Sequence, residues 1–234
     1  MDAQTRQTLE TISTATLTTV LLRKGLRNVW LRGAFPRQPS QKRVAGTAFT
    51  LRFVPAREDL ATPASWAAPI STRAAIEAME DGVIAVADAM GVTDAGIFGD
   101  ILCARMAKRK VGALITDGVL RDMEGVLATG LPVWCAGAAA PPSVAGLTFV
   151  NWQEPIACGG VAIFPGDAIV ADGDGAVVIP QALLAEVTQT AVEQEMQESW
   201  IMGEVEKGAP LPGLYPPNDE NKARYAAWRK ARKP

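Results

Sequence analysis

The chain has 234 residues, of which 48% are apolar and 21% are charged, and its formal net charge is −2. These values are typical of a globular protein with one large or two small domains, and they give no overall basic field for nucleic-acid binding. The sequence contains no histidine, which excludes Ser-His-Asp and Cys-His catalysis, His-ligated zinc and imidazole acid–base chemistry. Any enzymatic chemistry must come from carboxylates, arginine, lysine, thiols, backbone amides or a hard metal ion.

The cysteines and the first residues indicate the compartment. Cys103, Cys135 and Cys158 are odd in number and lie in apolar segments, which favours reduced thiols over a disulfide framework. The first residues lack the apolar core of a signal peptide, and no stretch of about 20 apolar residues is present to span a bilayer. The sequence therefore predicts a cytoplasmic protein with no membrane partner.

The N-terminal third is predicted to contain two helices and one strand. Apolar residues recur at helical spacing over residues 3–24, and Gly25 is a plausible stop. Alternating apolar residues predict a strand over 44–54, whereas three prolines predict a loop over 55–70. A short helix is expected from Ser71 to Met79.

The middle of the chain shows an alternation of strands and helices. Strands are predicted at 82–89, 111–116 and 132–136, and helices at 99–110 and 120–128. The helix at 99–110 is expected to bury Ile101, Leu102, Met106 and Ala107. Such an alternation is typical of an α/β protein whose partly parallel sheet is covered by helices.

The C-terminal third has a different character. Short strands are predicted at 161–164, 168–171 and 176–179, with tight turns between them, followed by a long helix over 180–207. We expect a single α/β domain over residues 1–210. Residues 211–234 are expected to form an arm that ends in a short helix.

The first segment with candidate chemistry is GIFGDIL at 96–102, where a glycine-containing loop leads into a helix. The free N–H groups and positive dipole end of such a helix bind anions. The alternative is an ordinary helix cap formed by Gly99 or Asp100, and the local sequence alone favours that alternative.

The second segment is TDGVLRD at 116–122, which follows an apolar strand and contains Asp117, Arg121 and Asp122. Aspartate offers oxygen ligands to Mg²⁺ or Mn²⁺, and arginine clamps a carboxylate or polarises a keto oxygen. The alternative is an Asp-Gly turn followed by a helix start with an internal ion pair.

Both segments lie where a strand passes into a helix, and parallel strands bring such junctions to the same sheet edge. The pair then suits a small 2-oxo acid. The carboxylate would bind the amides, and the keto oxygen would face a metal and an arginine that stabilise an enolate.

The residues G-D-I-L at 99–102 and I-T-D-G-V-L-R-D at 115–122 resemble the family of 4-hydroxy-4-methyl-2-oxoglutarate aldolases. This family also contains the regulator of ribonuclease activity A (RraA). Further matching stretches lie at 44–50, 130–133 and 158–180. The resemblance implies the RraA-like swivelling β/β/α domain, in which a central partly parallel sheet is layered with helices and carries a small β substructure. The extended tail places the chain in a larger subgroup.

The resemblance also implies roles for single residues. Asp122 would hold Mg²⁺ or Mn²⁺, and Arg121 would contact the pyruvyl oxygen. Asp117 and Asp100 would hold waters around the metal. The substrate carboxylate would bind the backbone amides of Gly99, Asp100, Ile101 and Leu102. The family's aldolases often have glutamate where Asp100 stands, so this shorter side chain changes the reach to the metal.

The resemblance further implies a homotrimer or homohexamer in which an acid from a neighbouring subunit approaches the site. Glu193 and Glu195 are the candidates for that acid. Arg52, Arg57 and Arg73 either bind a second substrate carboxylate or hydroxyl chain, or form ordinary surface ion pairs, and the second interpretation is the simpler.

The predicted function is that of a divalent-metal-dependent class II pyruvate aldolase. It would cleave a 4-hydroxy-2-oxo acid to pyruvate and a carbonyl compound, and it would decarboxylate oxaloacetate through the same enolate. One alternative is a non-catalytic regulator that binds ribonuclease E. Another is a lyase or hydratase of a sugar-acid pathway. Fold alone does not decide between these functions.

Overall fold

The structure is a computed structural model that describes residues 1–39 and 41–232. The chain divides into two compact units, Met1–Thr188 and Gln189–Pro234. The sequence predicted a domain boundary at residues 210/211, whereas this division falls inside the long C-terminal helix.

The first unit contains five complete α-helices and ten strands among its described residues. The helices are α1 (Ala3–Leu9), α2 (Thr14–Arg23), α3 (Thr72–Ala78), α4 (Asp100–Lys108) and α5 (Met123–Ala128). The strands are β1 (Phe35–Pro36), β2 (Val44–Pro55), β3 (Ile84–Asp88), β4 (Ala113–Thr116), β5 (Val119–Leu120), β6 (Val133–Cys135), β7 (Gly137–Ala138), β8 (Leu147–Trp152), β9 (Ala168–Asp172) and β10 (Gly175–Ile179). Helix α6 (Leu184–Glu206) begins in this unit, and α7 (Asp219–Ala231) lies in the second.

The described strands form one large mixed sheet and one small sheet. The order in the large sheet is β1-β6-β4-β3-β2-β9-β10, and β8 also pairs with β2. Strands β2, β3, β4 and β6 are mutually parallel, while β1, β8, β9 and β10 pair antiparallel to their neighbours. The small sheet is the parallel pair β5-β7. The prediction of a partly parallel α/β sheet with a small β substructure is therefore confirmed.

The core explains why the middle strands read as continuous apolar runs. Every residue of β3 and β4 is buried, as expected for strands covered on both faces. Alternate residues, such as Ala85 and Leu114, pack in one cluster with Met79, Cys103 and Val126, which lie on or beside the helices α3, α4 and α5. The helices therefore sit over the sheet and place their N-termini near the ends of the parallel strands.

Strand β2 joins the two parts of the sheet. Its first residues, Val44–Thr47, pair with β9, and its last residues, Leu51–Pro55, pair with β8. The register with β8 shifts between Arg52 and Phe53. Strand β8 was not predicted from the sequence. It pairs with the end of β2 that leads into the proline-rich segment.

Several predicted element boundaries were wrong for local reasons. The helix predicted over 3–24 is two helices, because Ser13 caps a new start and accepts a hydrogen bond from the Thr16 N–H at 3.0 Å. The helix predicted from residue 120 begins only at Met123, because residues 119–120 form β5 instead. The strand predicted over 161–164 is reduced to an isolated bridge at Ile163.

The predicted inward face of α4 was also partly wrong. Met106 is fully buried, and Leu102 and Ala107 pack partly buried against the core. Ile101 is 80% exposed, because it lies in the first turn on the side of α4 that faces away from the sheet. Its place in the core is taken by Cys103.

The second unit is a small helical structure with an aromatic cluster. Trp200, Ile201, Leu214 and Tyr225 are buried together, and the rings of Trp200 and Tyr225 lie 5.7 Å apart. The predicted tail helix is longer than expected and covers Asp219–Ala231. Among the described residues, no helix is both long enough and apolar enough to cross a bilayer.

The buried side chain of Asp172 links the N-terminal helices to the sheet. Its oxygens accept hydrogen bonds from the Thr14 N–H at 2.9 Å, the Thr14 hydroxyl at 2.7 Å and the Asp174 N–H at 3.0 Å. The Arg43 Nε lies 3.3 Å away, and the indole of Trp134 donates to the Asp172 carbonyl at 2.8 Å. Burial acts to raise the pKa of Asp172, but these hydrogen bonds and the Arg43 charge outweigh it and lower the pKa.

We expect Asp172→Asn to lower the free energy of unfolding by about 1–3 kcal/mol at pH 7, because the amide group cannot accept all of these bonds. Because the pKa of Asp172 is lower in the folded state, its ionised carboxylate stabilises the fold fully above the unfolded-state pKa of about 3.9. This stabilisation is lost as the pH falls through the folded-state pKa. The difference in the free energy of unfolding between wild type and variant should therefore become smaller below about pH 4. Urea denaturation across this pH range measures it. Asp174→Asn, at an exposed neighbour, is the control, and an equal loss in both variants would contradict the assignment.

Candidate functional site

The two predicted segments meet in one cavity of about 300 Å³, here called the reaction cavity. Residues of both segments line it: Gly96, Gly99, Asp100, Ile101, Leu102, Arg121 and Asp122. The prediction that the two junctions share a sheet edge is supported by this placement. The remaining wall comes from Trp66, Thr72, Arg73, Pro142 and Ser143, which no local sequence signal connected to the two segments.

Backbone hydrogen bonds fix the two segments side by side. The Ile97 N–H donates to the Val119 carbonyl at 3.0 Å, and the Arg121 N–H donates to the Phe98 carbonyl at 3.0 Å. The Gly96 N–H donates to the Pro141 carbonyl at 2.9 Å. The loop before α4 therefore extends the small β5 strand pair, and the positions of Arg121 and Asp122 follow from the backbone.

Two glycines make this close approach possible. A Cβ on Gly96 would lie 2.8 Å from both the N and Cβ atoms of Arg121 and 2.9 Å from the Ala139 carbonyl oxygen. A Cβ on Gly99 would lie 2.9 Å from Oδ2 of Asp122. Glycine is thus required at Gly96, where a Cβ would meet backbone atoms, whereas at Gly99 the missing methyl group gives room to a carboxylate oxygen.

Asp122 occupies a special backbone position at the start of α5. Its φ and ψ are 52° and 43°, the left-handed region that few residues other than glycine, asparagine and aspartate adopt readily. Its side chain is 51% exposed, so the carboxylate is open to the cavity. Backbone strain of this kind is often found at functional sites.

Arg121 pairs with Asp122 but retains hydrogen-bonding capacity. Its Nε lies 3.3 Å from Oδ2 of Asp122, an ion-pair distance. No acceptor in the described part of the chain makes a well-directed hydrogen bond to that buried Nε. An oxygen ligand that enters the cavity can therefore accept a hydrogen bond from this Nε and shift the ion pair.

The N-terminus of α4 is only partly free to bind an anion. Its N-cap is Gly99, which has no side chain to cap the helix. The Ile101 N–H, one of the predicted carboxylate-binding amides, already donates to Oδ1 of Asp100 at 2.7 Å. Asp100 itself lies against Gly125 of α5, where a Cβ would come within 2.9 Å of its Oδ2. The Asp100 carboxylate therefore lies between α4 and α5 and shields part of the predicted anion site.

The structure does not place Asp117 in the reaction cavity. This carboxylate is buried and accepts three backbone N–H groups, from Ala89 at 2.8 Å, Gly91 at 3.1 Å and Gly159 at 3.0 Å. It lines a different cavity, beside Asp88. Burial raises the pKa of Asp117, with a contribution from Asp88, and the three amides oppose that rise. Its visible role is to hold two loops together.

Glu193, one of the two acids proposed to reach a neighbouring subunit, is held inside its own unit. Its carboxylate accepts the Tyr225 hydroxyl at 2.9 Å and pairs with Arg229 at 2.7 Å. Burial and the Glu193 hydrogen bond raise the pKa of Tyr225 to about 12, so this hydroxyl stays a donor. Glu195 lies on the same helix α6.

A divalent cation in the reaction cavity would have to be held by few protein ligands and by water. In the described part of the chain, no three acidic or thiol side chains cluster closely enough to hold a metal. Mg²⁺ commonly binds through one or two carboxylates and keeps several waters. The exposed Asp122 carboxylate, with the space left by Gly99 beside it, fits that requirement.

The other side chains singled out in the sequence have different settings. Arg57 pairs with Asp59 on the surface. The Arg73 guanidinium lies 5.1 Å from the centre of the Trp66 ring and lines the reaction cavity. Cys103 is fully buried, and burial raises its pKa to about 12, as expected for core packing and not for a nucleophile.

Comparison with known proteins supports the family resemblance. A family model described as "RraA-like: Aldolase/RraA" matches residues 11–178. "Protein DlpA" of Legionella pneumophila is 29% identical over 169 residues, which are 72% of this chain and 26% of that protein. A "Putative 4-hydroxy-4-methyl-2-oxoglutarate aldolase" of Halalkalibacterium halodurans is 34% identical over 118 residues, which are 50% of this chain and 55% of that protein. The matched region thus spans about half or less of these two relatives.

A solved structure extends the comparison to most of the chain. It is that of Streptomyces coelicolor RraAS2, described as an unusual member of the RNase ES inhibitor RraA protein family. The TM-score is 0.77 at 32% identity, and the match covers 86% of this chain and 96% of the other. This agreement confirms the predicted fold.

We expect Gly96→Ala to lower the free energy of unfolding by about 1–3 kcal/mol, because its Cβ meets backbone atoms that cannot move aside. Gly99→Ala should cost less stability, because its Cβ meets a carboxylate oxygen of Asp122 and methylene carbons of Arg121, and these side chains can rotate. Thermal and urea unfolding of both variants measure the difference. A larger loss for Gly99→Ala would show that the contacts at Gly96 relax easily.

Proposed function

Because the chain belongs to the RraA-like (Aldolase/RraA) family, we propose that it is a divalent-metal-dependent class II aldolase. It cleaves a 4-hydroxy-2-oxo acid to pyruvate and a carbonyl compound. The observation that carries this proposal is the meeting of Arg121, Asp122 and the N-terminus of α4 in one cavity. The name of the Halalkalibacterium halodurans relative supports the same reaction.

The chain's own groups bind the 2-oxo acid end of the substrate. The carboxylate lies at the N-terminus of α4, where the helix dipole and first-turn amides favour negative charge. The Arg121 guanidinium donates to the 2-oxo oxygen, which becomes negatively charged as the enolate forms. Asp100 turns away from the Ile101 N–H when the substrate carboxylate takes that donor.

Asp122 is the residue that holds the divalent metal, Mg²⁺ or Mn²⁺. When bound, the metal supplies Lewis-acid stabilisation of the enolate oxygen. The Asp122 carboxylate also keeps Arg121 in place through the ion pair, so one side chain serves both groups. The left-handed backbone at Asp122 points the carboxylate into the cavity.

Cleavage requires a proton to leave the C4 hydroxyl and another to reach C3. The C3–C4 bond breaks, C4 departs as the carbonyl product, and the bonding electrons form the pyruvate enolate, which is then protonated at C3. The carboxylates of Asp100 and Asp122 border the cavity and orient a water that carries the protons. No imidazole is needed, in keeping with a sequence that contains no histidine. Decarboxylation of oxaloacetate forms the same enolate and belongs to the same proposal.

The proposal includes a homotrimer or homohexamer in which an acid of a neighbouring copy approaches the cavity. Glu195 and Glu193 remain the candidates. Glu193 first has to leave Tyr225 and Arg229.

We expect the purified chain to release pyruvate from oxaloacetate and from 4-hydroxy-4-methyl-2-oxoglutarate when Mg²⁺ or Mn²⁺ is added, and to stop when EDTA is added. Asp122→Asn should reduce kcat/KM by at least about 100-fold, which corresponds to about 2.7 kcal/mol of transition-state stabilisation. Asparagine tolerates the left-handed backbone, so the fold should be kept. Coupled lactate dehydrogenase assays measure the pyruvate.

The matched control is Asp81→Asn, because Asp81 is an exposed acid that pairs with Lys110 outside the reaction cavity. It should leave turnover unchanged. Metal-independent turnover, or equal turnover in Asp122→Asn and wild type, would contradict the assignment.

A second candidate function is a non-catalytic regulator of ribonuclease E, favoured by the similarity to RraAS2, which is described as a member of an RNase ES inhibitor family. The two functions separate in one comparison. A regulator should bind and inhibit a ribonuclease E-type enzyme equally well as wild type and as Asp122→Asn, with no metal requirement. We expect no such inhibition from this chain, and inhibition by both proteins without pyruvate release would replace the aldolase proposal. Ribonuclease activity on a fluorescent RNA measures the outcome.

A further inference from the structure

A second cavity of about 430 Å³ adjoins the reaction cavity. The two cavities share the wall residues Trp66, Thr72 and Ser143. We call the second cavity the apolar chamber. It is formed by parts of the loop and helix start at residues 60–72, by residues 143–144 and by residues 147–150 of β8. The far end of a substrate bound at Arg121 would therefore lie beside these shared residues.

The walls of the apolar chamber are built from side chains without charge. Leu60, Ile70, Val144 and Phe149 contribute apolar surface, and none of the residues that line the chamber in the described structure is Asp, Glu, Lys or Arg. Leu60 and Ile70 are 49% and 52% exposed, so the chamber presents apolar surface to solvent when nothing fills it. An occupant that removes this surface from water is favoured by the hydrophobic effect.

Three of the five hydroxyl groups in these walls already take part in hydrogen bonds, and the other two, on Thr72 and Ser143, also line the reaction cavity. The Ser65 hydroxyl donates to the Thr62 carbonyl at 2.6 Å, and the Ser71 hydroxyl accepts from the Ala74 N–H at 3.2 Å. The Thr148 hydroxyl accepts from the Arg57 N–H at 3.0 Å. A carboxylate placed in the chamber would lose its hydration without gaining a cationic partner, which is unfavourable.

The reaction cavity is small for a complete substrate. Its volume of about 300 Å³ lies at the lower end of the range of about 300–1,000 Å³ found for small-molecule sites. The 2-oxo acid end, a bound metal and its waters would take up part of that space. The substituent on C4 must then extend past the shared residues.

We propose that the apolar chamber binds the C4 substituent of the substrate. The preferred substrates are 4-hydroxy-2-oxo acids whose C4 group is aryl or branched alkyl, and the carbonyl product is an apolar aldehyde. This inference rests on the proposed function, and it names the substrate class of the same site. The reaction remains a balanced retro-aldol cleavage: the C4 hydroxyl loses its proton, the C3–C4 bond breaks, and the enolate is protonated at C3.

Arg73 defines the competing possibility. It lines the reaction cavity but not the apolar chamber, and its guanidinium lies over the Trp66 ring. A C4 substituent that ends in a carboxylate would turn toward Arg73 and leave the chamber empty. Substrates with apolar and with carboxylated C4 groups therefore distinguish the two arrangements.

The experiment compares three substrates with the full chain and Mg²⁺: 4-hydroxy-2-oxo-4-phenylbutanoate, 4-hydroxy-4-methyl-2-oxoglutarate and oxaloacetate. The kcat/KM of the phenyl substrate should exceed that of 4-hydroxy-4-methyl-2-oxoglutarate by at least about tenfold. Ala61→Phe, which fills the chamber, should remove that advantage and leave oxaloacetate decarboxylation within about twofold of wild type. Ala78→Phe, at an exposed position of α3 outside the chamber, is the matched control. It should change neither the preference for the phenyl substrate nor the decarboxylation of oxaloacetate.

A second variant tests the chamber even if Ala61→Phe fails to fold. Leu60→Asp places a charge in the chamber wall at a half-exposed position, and it should lower turnover of the phenyl substrate alone. A binding measurement is independent of turnover. By calorimetry, 2-oxo-4-phenylbutanoate should bind at least about tenfold more tightly than pyruvate to the wild type, and Ala61→Phe should abolish the difference.

The outcomes separate this inference from the proposed function. Oxaloacetate turnover with a preference for the carboxylated substrate, unchanged in Ala61→Phe, overturns the inference and leaves the aldolase intact. A change of oligomeric mass in Ala61→Phe, without a change in substrate preference, shows that a second copy of the chain fills the chamber and also overturns it. Tighter binding of the phenyl compound without any pyruvate release supports the chamber and contradicts the aldolase.

Discussion

The site depends on one steric constraint, the close approach of residues 96–99 to residues 121 and 122. At Gly96, the absence of a side chain lets the loop before α4 hydrogen-bond to the backbone of residues 119–121. Without this contact, the junctions after β3 and after β4 would lie at the same sheet edge but would not touch. Because Arg121 follows β5 directly, its side chain is positioned by paired backbone and not by a flexible loop.

The same constraint accounts for the chemical character of the cavity. The room left at Gly99 accommodates a carboxylate oxygen of Asp122, and the left-handed backbone at that residue turns the carboxylate outward at the start of α5. In the described structure, an arginine whose Nε makes no well-directed hydrogen bond then lies beside an exposed carboxylate. Such a site binds oxygen ligands and stabilises negative charge, which is the chemistry available to a protein without histidine.

Sequence patterns predicted the fold class and the meeting of the two junctions because both follow from local rules, namely apolar runs for buried strands and glycine at strand–helix turns. The same patterns placed Asp117 at the site, because spacing along the chain does not show which way a side chain points. Two residues after it, β5 begins and pairs with β7, and Asp117 points instead to the amides of two other loops. They also placed Ile101 in the core, although helical periodicity gives a poor phase within the first turn of a helix.

Local sequence patterns could not predict the walls of the apolar chamber, for a different reason. They come from residues 60–72 and from β8, which are about 80 positions apart in the sequence and meet only because β8 pairs with the end of β2. The groups proposed for bond cleavage lie in two short segments fixed by glycines. The groups proposed for substrate choice lie on long-range contacts and a proline-rich loop. A change in that loop can thus alter which substituent fits without disturbing Arg121 and Asp122, so one scaffold can keep its chemistry while its substrate varies.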